Sequence, residues 1–457
     1  MSSGEASGEY ASEPSAPREQ AVLYRGLRRR YAADNERPPM IPLETALQII
    51  RDVLAAPRTK AARVPLREAL GRVLTVDVAS PLDFPHFDRA AMDGWAIPPG
   101  GQRRYRVVGV LNAGDTATIA AVTGEGAPPL AAGTTMKVMT GAPVPPGTAR
   151  VVPVELAREA DGGIEITAAE EVETLPACIH TRGQDVKCGE VVARAGERLT
   201  AVRLANLLSV GVEEVSARRR PRVTIAPTGD ELVARAADLA PGRILDTNGP
   251  LLEMILRGAG CTAGAHVAIP DDPRETKARL AGMLGQSDLV VLTGGVSAGD
   301  RDFVPDVLRA LDFTVHFARV AVQPGKPTLF ATGARGVVFA LPGNPVSAFV
   351  TAHLFVLPAL ALLEGAQEWP RFVTLPLAEA WRGRAGDRVR LYPARLTRDG
   401  GVSLLPYHGS GHLRALLEAD GFVRLEPEWD ARAAEAPVQF WPLRVAASGR
   451  DEGEETA

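Results

Sequence analysis

The chain has 457 residues, of which 46% are hydrophobic and 5% aromatic, and this composition indicates a soluble globular protein of about three or four domains. Its 51 basic and 55 acidic residues give a net charge of −4, which disfavours a nucleic-acid-binding protein because such proteins normally carry a basic face. Three cysteines without a C-x-x-C pair argue against a zinc knuckle or disulfide framework and favour the cytoplasm. We find neither an apolar run of the roughly 18 residues that span a bilayer nor a signal peptide.

The N-terminal part of the chain predicts a tail followed by a mixed domain. Residues 1–39 are rich in Ser, Glu and Pro and then basic, and we predict a disordered extension because this composition cannot bury enough apolar surface. We expect Met40 to be the true start of the protein. Apolar residues over 43–54 recur at helical spacing. Residues 40–83 and 182–216 are predicted to pair into one elongated, discontinuous mixed α/β domain, a partly helical linker between the others.

Two further domains follow from the pattern of apolar residues. Residues 84–181 are rich in Val, Thr, Gly and Pro with alternating stretches, which predicts an inserted β-rich domain. Residues 217–369 alternate strand and helix patterns, and they contain neither a Walker loop nor a dinucleotide fingerprint. Their apolar, β-branched runs are typical of buried parallel strands, so we predict a central α/β domain with a mostly parallel sheet. These runs are residues 223–225, 289–292 and 337–339.

The C-terminal part predicts strands again. Apolar residues alternate with period two over residues 370–447, and Asp399-Gly400 is a strong hairpin signal. We predict a small β-barrel there and a loose acidic tail over residues 448–457. In the α/β domain, Asp272 and Asn344 each precede a proline at the first helical position and are predicted to cap helices.

Four glycine- and proline-rich loops punctuate the α/β domain. Loops that leave the carboxyl ends of parallel strands hold ligands in open α/β sheets. Glycine N–H groups can cradle an anion, and Asp and Glu supply hard oxygen ligands. The loops therefore predict a site for a phosphate-bearing ligand and a divalent cation. They read PTGDEL (227–232), TGGVSAGDRD (293–302), QPGKP (323–327) and LPGNP (341–345).

Each charged residue in these loops has an alternative, structural interpretation. Asp302 could be a helix cap, although a cap rarely needs so long a glycine prelude. Lys326 is either a phosphate-binding point charge or a solvated surface lysine. Glu231 is either a Mg²⁺ ligand or a turn acid. Asp271 and its neighbour are easily explained as helix-capping residues.

Loops outside the α/β domain also carry acids. The segment over residues 83–96 mixes three acids with small and aromatic residues without clean periodicity, and such a loop is more often functional than a plain connector. Segments 139–143 and 183–187 are weaker signals on their own. His408 and His412 flank Gly409-Ser410-Gly411, which disfavours a helical metal site. No Ser-His-Asp set is evident.

Taken together, these motifs resemble the molybdopterin molybdenumtransferases, the MoeA and gephyrin E-domain family. Seven segments match the family's order and spacing across about residues 40–445, which makes the resemblance highly specific. They are DRAAMDGWA (88–96), MTGAPVP (139–145), GQDVKCGE (183–190), PTGDEL (227–232), TGGVSAGDRD (293–302), QPGKP (323–327) and LPGNPVSA (341–348).

The resemblance implies a four-domain, elongated homodimer with a composite site. That site would lie between the molybdopterin-binding α/β domain of one subunit and the inserted β domain of the other. The implied reaction converts adenylylated molybdopterin and molybdate into molybdenum cofactor and AMP, assisted by Mg²⁺. A molybdopterin adenylyltransferase is an implied partner, and neither nucleic acid nor membrane is involved.

The resemblance also assigns residues. The implied catalytic acids are Asp93, Asp185, Glu231 and Asp302, and the implied metal ligands are Glu231, Asp271 and Asp302. Gln323 stands where many family members have a lysine, so anion binding there would depend on Arg319 and Lys326. The substrate-binding residues would be Thr140, Gly294, Gly295, Ser297, Lys326, Pro342, Asn344 and Pro345.

Two other functions remain open at this point. One is molybdopterin adenylyltransfer on the same α/β domain, which the loop at residues 88–96 and the C-terminal domain disfavour because they lie outside the shared domain. The other is a gephyrin-like scaffold, for which the acidic loops would have no purpose. Consumption of ATP with molybdopterin would favour the first, and intact cofactor synthesis after Asp302→Ala would favour the second.

Overall fold

The structure is a computed structural model that describes residues 39–114, 116–123, 127–263, 268–270, 272–295, 303–366 and 368–443. The chain divides into two compact units. The smaller unit is Ala61–Arg218, and the larger unit combines Met1–Lys60 with Arg219–Ala457.

A six-stranded sheet forms the centre of the larger unit. Its first three pairings are parallel and its last two are antiparallel, which confirms the mostly parallel sheet. The strand Leu289–Thr293 is buried along its whole length, as its apolar sequence predicted. In spatial order the strands are Thr262–Ala263, Arg222–Pro227, Leu289–Thr293, Gly336–Leu341, Leu329–Gly333 and Thr314–Phe317.

Hydrophobic cores cover both faces of this central sheet. Leu289 and Val291 belong to one core, whereas Val290 and Leu292 belong to the other, because successive side chains of a strand point to opposite faces. The Asp272 carboxylate accepts a hydrogen bond from Glu275 N at 2.8 Å, which confirms the predicted cap. The helices of the larger unit are Leu43–Val53, Asn248–Gly258, Pro273–Leu284, Val304–Arg309, Pro345–Thr351 and Leu357–Glu364, with a π-helical turn Ala352–Val356 and 3₁₀ turns Ala236–Asp238 and Leu413–Leu416.

The helix Leu43–Val53 differs from its prediction. We predicted that residues 40–83 pair with residues 182–216, but this helix belongs to the larger unit. Its buried side chains Leu43 and Ile50 pack in the same core as Phe339 of the central sheet. The helical periodicity was correct, but periodicity does not identify the surface that an apolar stripe covers.

The last helices form one continuous apolar segment. Pro345–Glu364 spans 20 residues with a mean hydropathy of 2.1, so by length and composition it could cross a membrane. The statement that no apolar run is long enough was therefore wrong. However, 83% of the 18-residue window is buried inside the fold, which is the pattern of a core helix.

A second six-stranded sheet occupies the C-terminal part of the larger unit. The hairpin predicted at Asp399-Gly400 is confirmed, because Leu396 faces Val402 and Gly400 has a φ of +86°. Among the described strands, the first and last strands of this sheet do not pair with each other, so the sheet is not a closed barrel. The order is Val322–Gln323, Val389–Leu396, Gly421–Leu425, Pro437–Pro442 and Val373–Pro376, with Val402–Leu404 beside Val389–Leu396. Two short pairs, Trp381–Arg382 with Ala431–Arg432 and Leu232–Val233 with Ile244–Leu245, complete the larger unit.

The smaller unit contains the β structure that its sequence predicted. One sheet has the order Arg150–Pro153, Gly94–Ile97, Thr134–Val138, Arg104–Leu111, Gly163–Ile166 and Ala157–Ala160. Three short pairs join Ala61–Pro65 to Glu214–Arg218, Val78–Ala79 to Val191–Ala193, and Arg89–Ala90 to Ile179–His180. Its helices are Thr116–Thr123, Ala169–Thr174 and Ala201–Ser209, with 3₁₀ turns Leu66–Glu68 and Val154–Leu156.

Candidate functional site

The loop after the strand Arg222–Pro227 folds back on itself. Gly229 has a φ of +142° and a Cβ there would lie 2.6 Å from Glu231 Oε2. The carboxylate of Glu231 therefore occupies the space that only a glycine leaves open. Glu231 itself is exposed, so its oxygens are available to a ligand at the end of the strand.

The loops of three neighbouring strands touch through their backbones. Gly294 has a φ of +88°, and a Cβ there would lie 2.5 Å from Thr228 O. Its N–H donates to Leu341 O at 3.1 Å. A Cβ on Gly343 would lie 3.7 Å from Gly294 Cα. The glycines thus allow the three loops to converge at the carboxyl end of the central sheet, as the sequence predicted.

A cavity of about 930 Å³ lies at this convergence. All four loops contribute to its wall, so the structure brings together seven of the predicted residues. These are Glu231, Gly294, Gly295, Lys326, Pro342, Asn344 and Pro345. Gln323 also lines the cavity.

Asn344 does not cap its own helix, which corrects the prediction. Its Nδ2 instead donates to Ser410 Oγ at 2.7 Å, and the N–H of Val346 donates to Ser410 O at 3.1 Å. Ser410 therefore satisfies one of the free N–H groups of the first turn, which a capping side chain would otherwise meet. The amide of Asn344 holds a C-terminal loop against the central α/β domain.

Sequence reasoning missed several residues of the cavity wall. Asn248 is 7% exposed, and its Nδ2 donates to Gly343 O at 2.7 Å. The segment Asp246-Thr247-Asn248-Gly249 carries turn and capping residues, so it offered a local signal. Arg388, Tyr407 and Ser410 also line the cavity, but they lie in the C-terminal part and carry no comparable signal.

The cavity wall carries charges of both signs. Lys326 is half-buried, and Arg388 is half-buried beside Asp387, to which its Nε donates at 3.2 Å. Glu231 and Asp246 contribute carboxylates. This wall can hold an anion beside its cations.

The predicted metal ligands lie partly inside and partly outside the part of the chain that the structure describes. Among the residues that the structure describes, no group of three or more His, Cys, Asp or Glu side chains is placed to hold a metal ion. Glu231 lies in the described part of the chain, whereas the predicted ligands Asp271 and Asp302 and the predicted binding residue Ser297 lie outside it.

In the smaller unit, Asp93 and Thr140 are in direct contact. The Asp93 carboxylate accepts hydrogen bonds from Thr140 Oγ1 at 2.6 Å and from Thr140 N at 2.7 Å. These bonds, led by the hydroxyl, hold the pKa of Asp93 below its usual value. Gly94 is required beside it, because a Cβ there would lie 2.3 Å from Val152 O. Asp93 is therefore a fixed, exposed anion.

Asp185 lies in a second acidic loop of the smaller unit. It is exposed, and its N–H donates to Phe84 O at 3.0 Å. The neighbouring Asp83 accepts hydrogen bonds from Cys188 N at 2.9 Å and Arg182 Nε at 2.7 Å. The Cys188 N–H is the leading cause of a lowered pKa for Asp83. Asp83 thus fixes the loop on which Asp185 is exposed.

Three consecutive family regions match this chain. Residues 41–211 match the MoeA N-terminal region (domains I and II), residues 224–362 match a probable molybdopterin-binding domain, and residues 374–443 match the MoeA C-terminal region (domain IV). A molybdopterin-binding type of α/β domain, flanked by these two regions and carrying a loop-lined cavity, defines a protein of the MoeA class.

Individual relatives agree with this class. The chain is 34% identical to the molybdopterin molybdenumtransferase of Synechococcus elongatus, over 88% of this chain and 100% of that protein. It is 32% identical to the enzyme of the same name from Haemophilus influenzae, over 88% and 99% of the two chains. The crystal structure of the molybdopterin biosynthesis MoeA protein from Pyrococcus horikoshii OT3 is similar, with a TM-score of 0.73, 27% identity and coverage of 89% and 100%. The chain belongs to the molybdopterin molybdenumtransferase family.

Proposed function

We propose that this protein is an enzyme that inserts molybdenum into molybdopterin, using adenylylated molybdopterin and molybdate and releasing AMP. The observation that carries the proposal is the cavity at the carboxyl end of the central sheet, where glycine loops, a lysine and an acid converge. The names of the relatives support the same reaction, because they match this chain over most of its length.

The reaction breaks a phosphoanhydride, which requires charge neutralisation more than covalent catalysis. Lys326 and Arg388 line the cavity and serve as fixed positive charges for phosphate and molybdate oxygens. The N–H of Gly295 orients an anion, whereas the N–H of Gly294 holds the loop by donating to Leu341 O. The dithiolene sulfurs of the substrate bind the molybdenum, so the protein needs no cysteine ligand.

Mg²⁺ is the proposed cofactor. The exposed carboxylate of Glu231 on the cavity wall is a hard oxygen donor that fits this ion. Asp271 and Asp302 are the proposed further ligands. When bound, the ion neutralises phosphate charge, while Glu231 also orients water or molybdate beside it.

We assign Asp93, Thr140 and Asp185 to the same reaction. Thr140 lowers the pKa of Asp93 and fixes its carboxylate, so Asp93 acts as a positioned anion that orients a cationic or hydrogen-bonding group. We further propose a cytoplasmic, elongated homodimer with a composite site, with a molybdopterin adenylyltransferase as the donor of the substrate. The adenylyltransfer alternative is disfavoured because the matches include the N- and C-terminal MoeA regions.

A direct assay tests the proposal. Purified protein is incubated with adenylylated molybdopterin, molybdate and Mg²⁺, and we expect AMP and molybdenum cofactor to form in equal amounts. Glu231→Gln keeps the shape of the side chain but removes its charge, and we expect it to abolish both products. Consumption of ATP with molybdopterin, without any dependence on molybdate, would contradict the proposal.

A further inference from the structure

The loop at residues 323–327 places Lys326 on the wall of the cavity. Two backbone hydrogen bonds hold the lysine, because Lys326 O accepts from Val320 N at 2.9 Å and from Thr328 N at 3.0 Å. Gly325 precedes the lysine, and a glycine restricts the backbone less than any other residue. The direction in which the chain enters Lys326 therefore depends on what holds Gly325.

Two neighbouring threonines hold Gly325. Its φ is +124°, and a Cβ there would lie 2.5 Å from Thr351 Cγ2, so the loop lies directly against the helix Pro345–Thr351. In addition, the hydroxyl of Thr328 donates to Gly325 O at 2.6 Å. A carbonyl that is held in this way restricts the rotation of the glycine about ψ, one of its two soft dihedral angles. The hydroxyl of Thr328 thereby fixes the backbone that leads into Lys326.

Thr328 is placed to act through Lys326 and not on a ligand directly. It is 0% exposed and does not belong to the cavity lining. Threonine hydroxyls also stabilise turns by bonding to nearby carbonyls, which is the alternative, purely structural role. However, the N–H of Thr328 already closes the turn by donating to Lys326 O. The hydroxyl bond is additional, and it acts on the least restricted residue of the loop.

We propose that Thr328 is a positioning residue, whose hydroxyl fixes the loop from which Lys326 binds an oxyanion in the cavity. This inference rests on the proposed function, because that function assigns Lys326 to anion binding. The oxyanion is either the phosphate of a nucleotide or a tetrahedral metal oxoanion. A lysine is a point charge on a flexible stem, so its affinity for such an anion depends on how firmly its backbone is held.

A double-mutant cycle measured by calorimetric titration tests this role, with AMP alone and molybdate alone as the probes. Thr328→Val keeps the size of the side chain but removes the hydroxyl, and we expect it to raise the Kd of at least one probe about three- to tenfold. Lys326→Met removes the charge and should raise the same Kd about tenfold or more. In the Lys326→Met background, Thr328→Val should raise that Kd no further, because the hydroxyl acts through the lysine. Effects of the two substitutions that simply multiply would overturn the inference.

Two further variants separate positioning from a general loss of stability. Thr328→Ser keeps the hydroxyl and should have the Kd of the unchanged protein. Thr59→Val is the matched control, because Thr59 is 2% exposed, donates its hydroxyl to Leu363 O at 3.1 Å and does not line the cavity. We expect both valine variants to lower the Tm of the ligand-free protein, but only Thr328→Val to change a Kd. An equal rise of the Kd in Thr59→Val would show that the inference is wrong.

The pattern across the two probes identifies the source of the oxyanion. Weaker binding of AMP supports the nucleotide phosphate, and weaker binding of molybdate supports the metal oxoanion. Unchanged Kd values for both probes in Lys326→Met or in Thr328→Val would overturn the inference, as would the absence of binding by the unchanged protein. Failure of the proposed function is a separate result, because the cycle would then show its coupling in a protein that forms no cofactor from adenylylated molybdopterin and molybdate.

Discussion

At the scale of single residues, hydrogen bonds from one neighbour, Thr140, explain the lowered pKa of Asp93. Two hydrogen bonds from Thr140 lower its pKa. Since the pKa is lowered in the folded state, these bonds stabilise the fold above the unfolded-state pKa, and their contribution is lost as the pH falls through the folded-state pKa. The same bonds fix the position of the Asp93 carboxylate.

Thr140→Val should therefore raise the pKa of Asp93 toward its usual value, because the hydroxyl is the leading cause of the shift. Thr140→Ser keeps a hydroxyl and should restore the lower pKa. The measurement is a carbon NMR titration of the Asp93 carboxyl, together with the pH profile of AMP release. Superimposable titration curves for the Val and Ser variants would count against this role of the hydroxyl.

Gln323 stands where the resemblance leads us to expect a lysine. It is exposed and lines the cavity that also holds Lys326 and Arg388. We expect Gln323→Lys to lower the KM for molybdate about three- to tenfold, because a further positive charge attracts the dianion in a partly screened site. Gln323→Met is the neutral control and should not have this effect. An unchanged or higher KM in Gln323→Lys would refute the prediction.

At the scale of elements, the cavity depends on loops that touch through glycine. Gly294→Ala places a Cβ 2.5 Å from Thr228 O at a φ of +88°. The loop that contains Gly294 must therefore move away from the loop at residues 227–232. Gly400→Ala is a matched control, because Gly400 has a φ of +86° with no atom within 4 Å of the added Cβ. We expect the control to lose about 1–2 kcal/mol of unfolding free energy from backbone conformation alone and to keep its activity. Gly294→Ala should lose more stability and nearly all AMP release.

Chemical denaturation and the AMP assay measure both effects. If the two variants lost equal stability and both remained active, the contact between the loops would be irrelevant to the site.

The elements that sequence reasoning predicted well are those specified by nearby residues. The cap at Asp272 and the hairpin at Asp399-Gly400 need only three or four neighbouring positions. The hydrogen bond from the Asn344 amide to Ser410 could not be predicted, because Ser410 lies 66 residues away. This bond takes the place of the local helix cap that the sequence indicated. Likewise, the apolar stripe of Leu43–Val53 was evident, but the core that it joins is formed by distant strands.

At the scale of the whole molecule, the two units carry different parts of the proposed site. Glu231 and Lys326 belong to the larger unit, whereas Asp93 and Asp185 belong to the smaller one. Sequence motifs identified residues in both units because each motif is local. The motifs of one chain do not state whether the two sets act within that chain or across a homodimer.

Complementation between two inactive variants decides this question. Glu231→Gln and Asp93→Asn are co-expressed with different affinity tags, and the complex that carries both tags is purified. If the site is composite, one of its two sites carries both substitutions and the other carries none, so we expect about half of the unchanged dimer's AMP release. If each site lies within one chain, every site carries one substitution and the complex is inactive. A dimer of two differently tagged Glu231→Gln chains is the control and should be inactive in either case, while failure to recover any doubly tagged complex would argue against the homodimer itself.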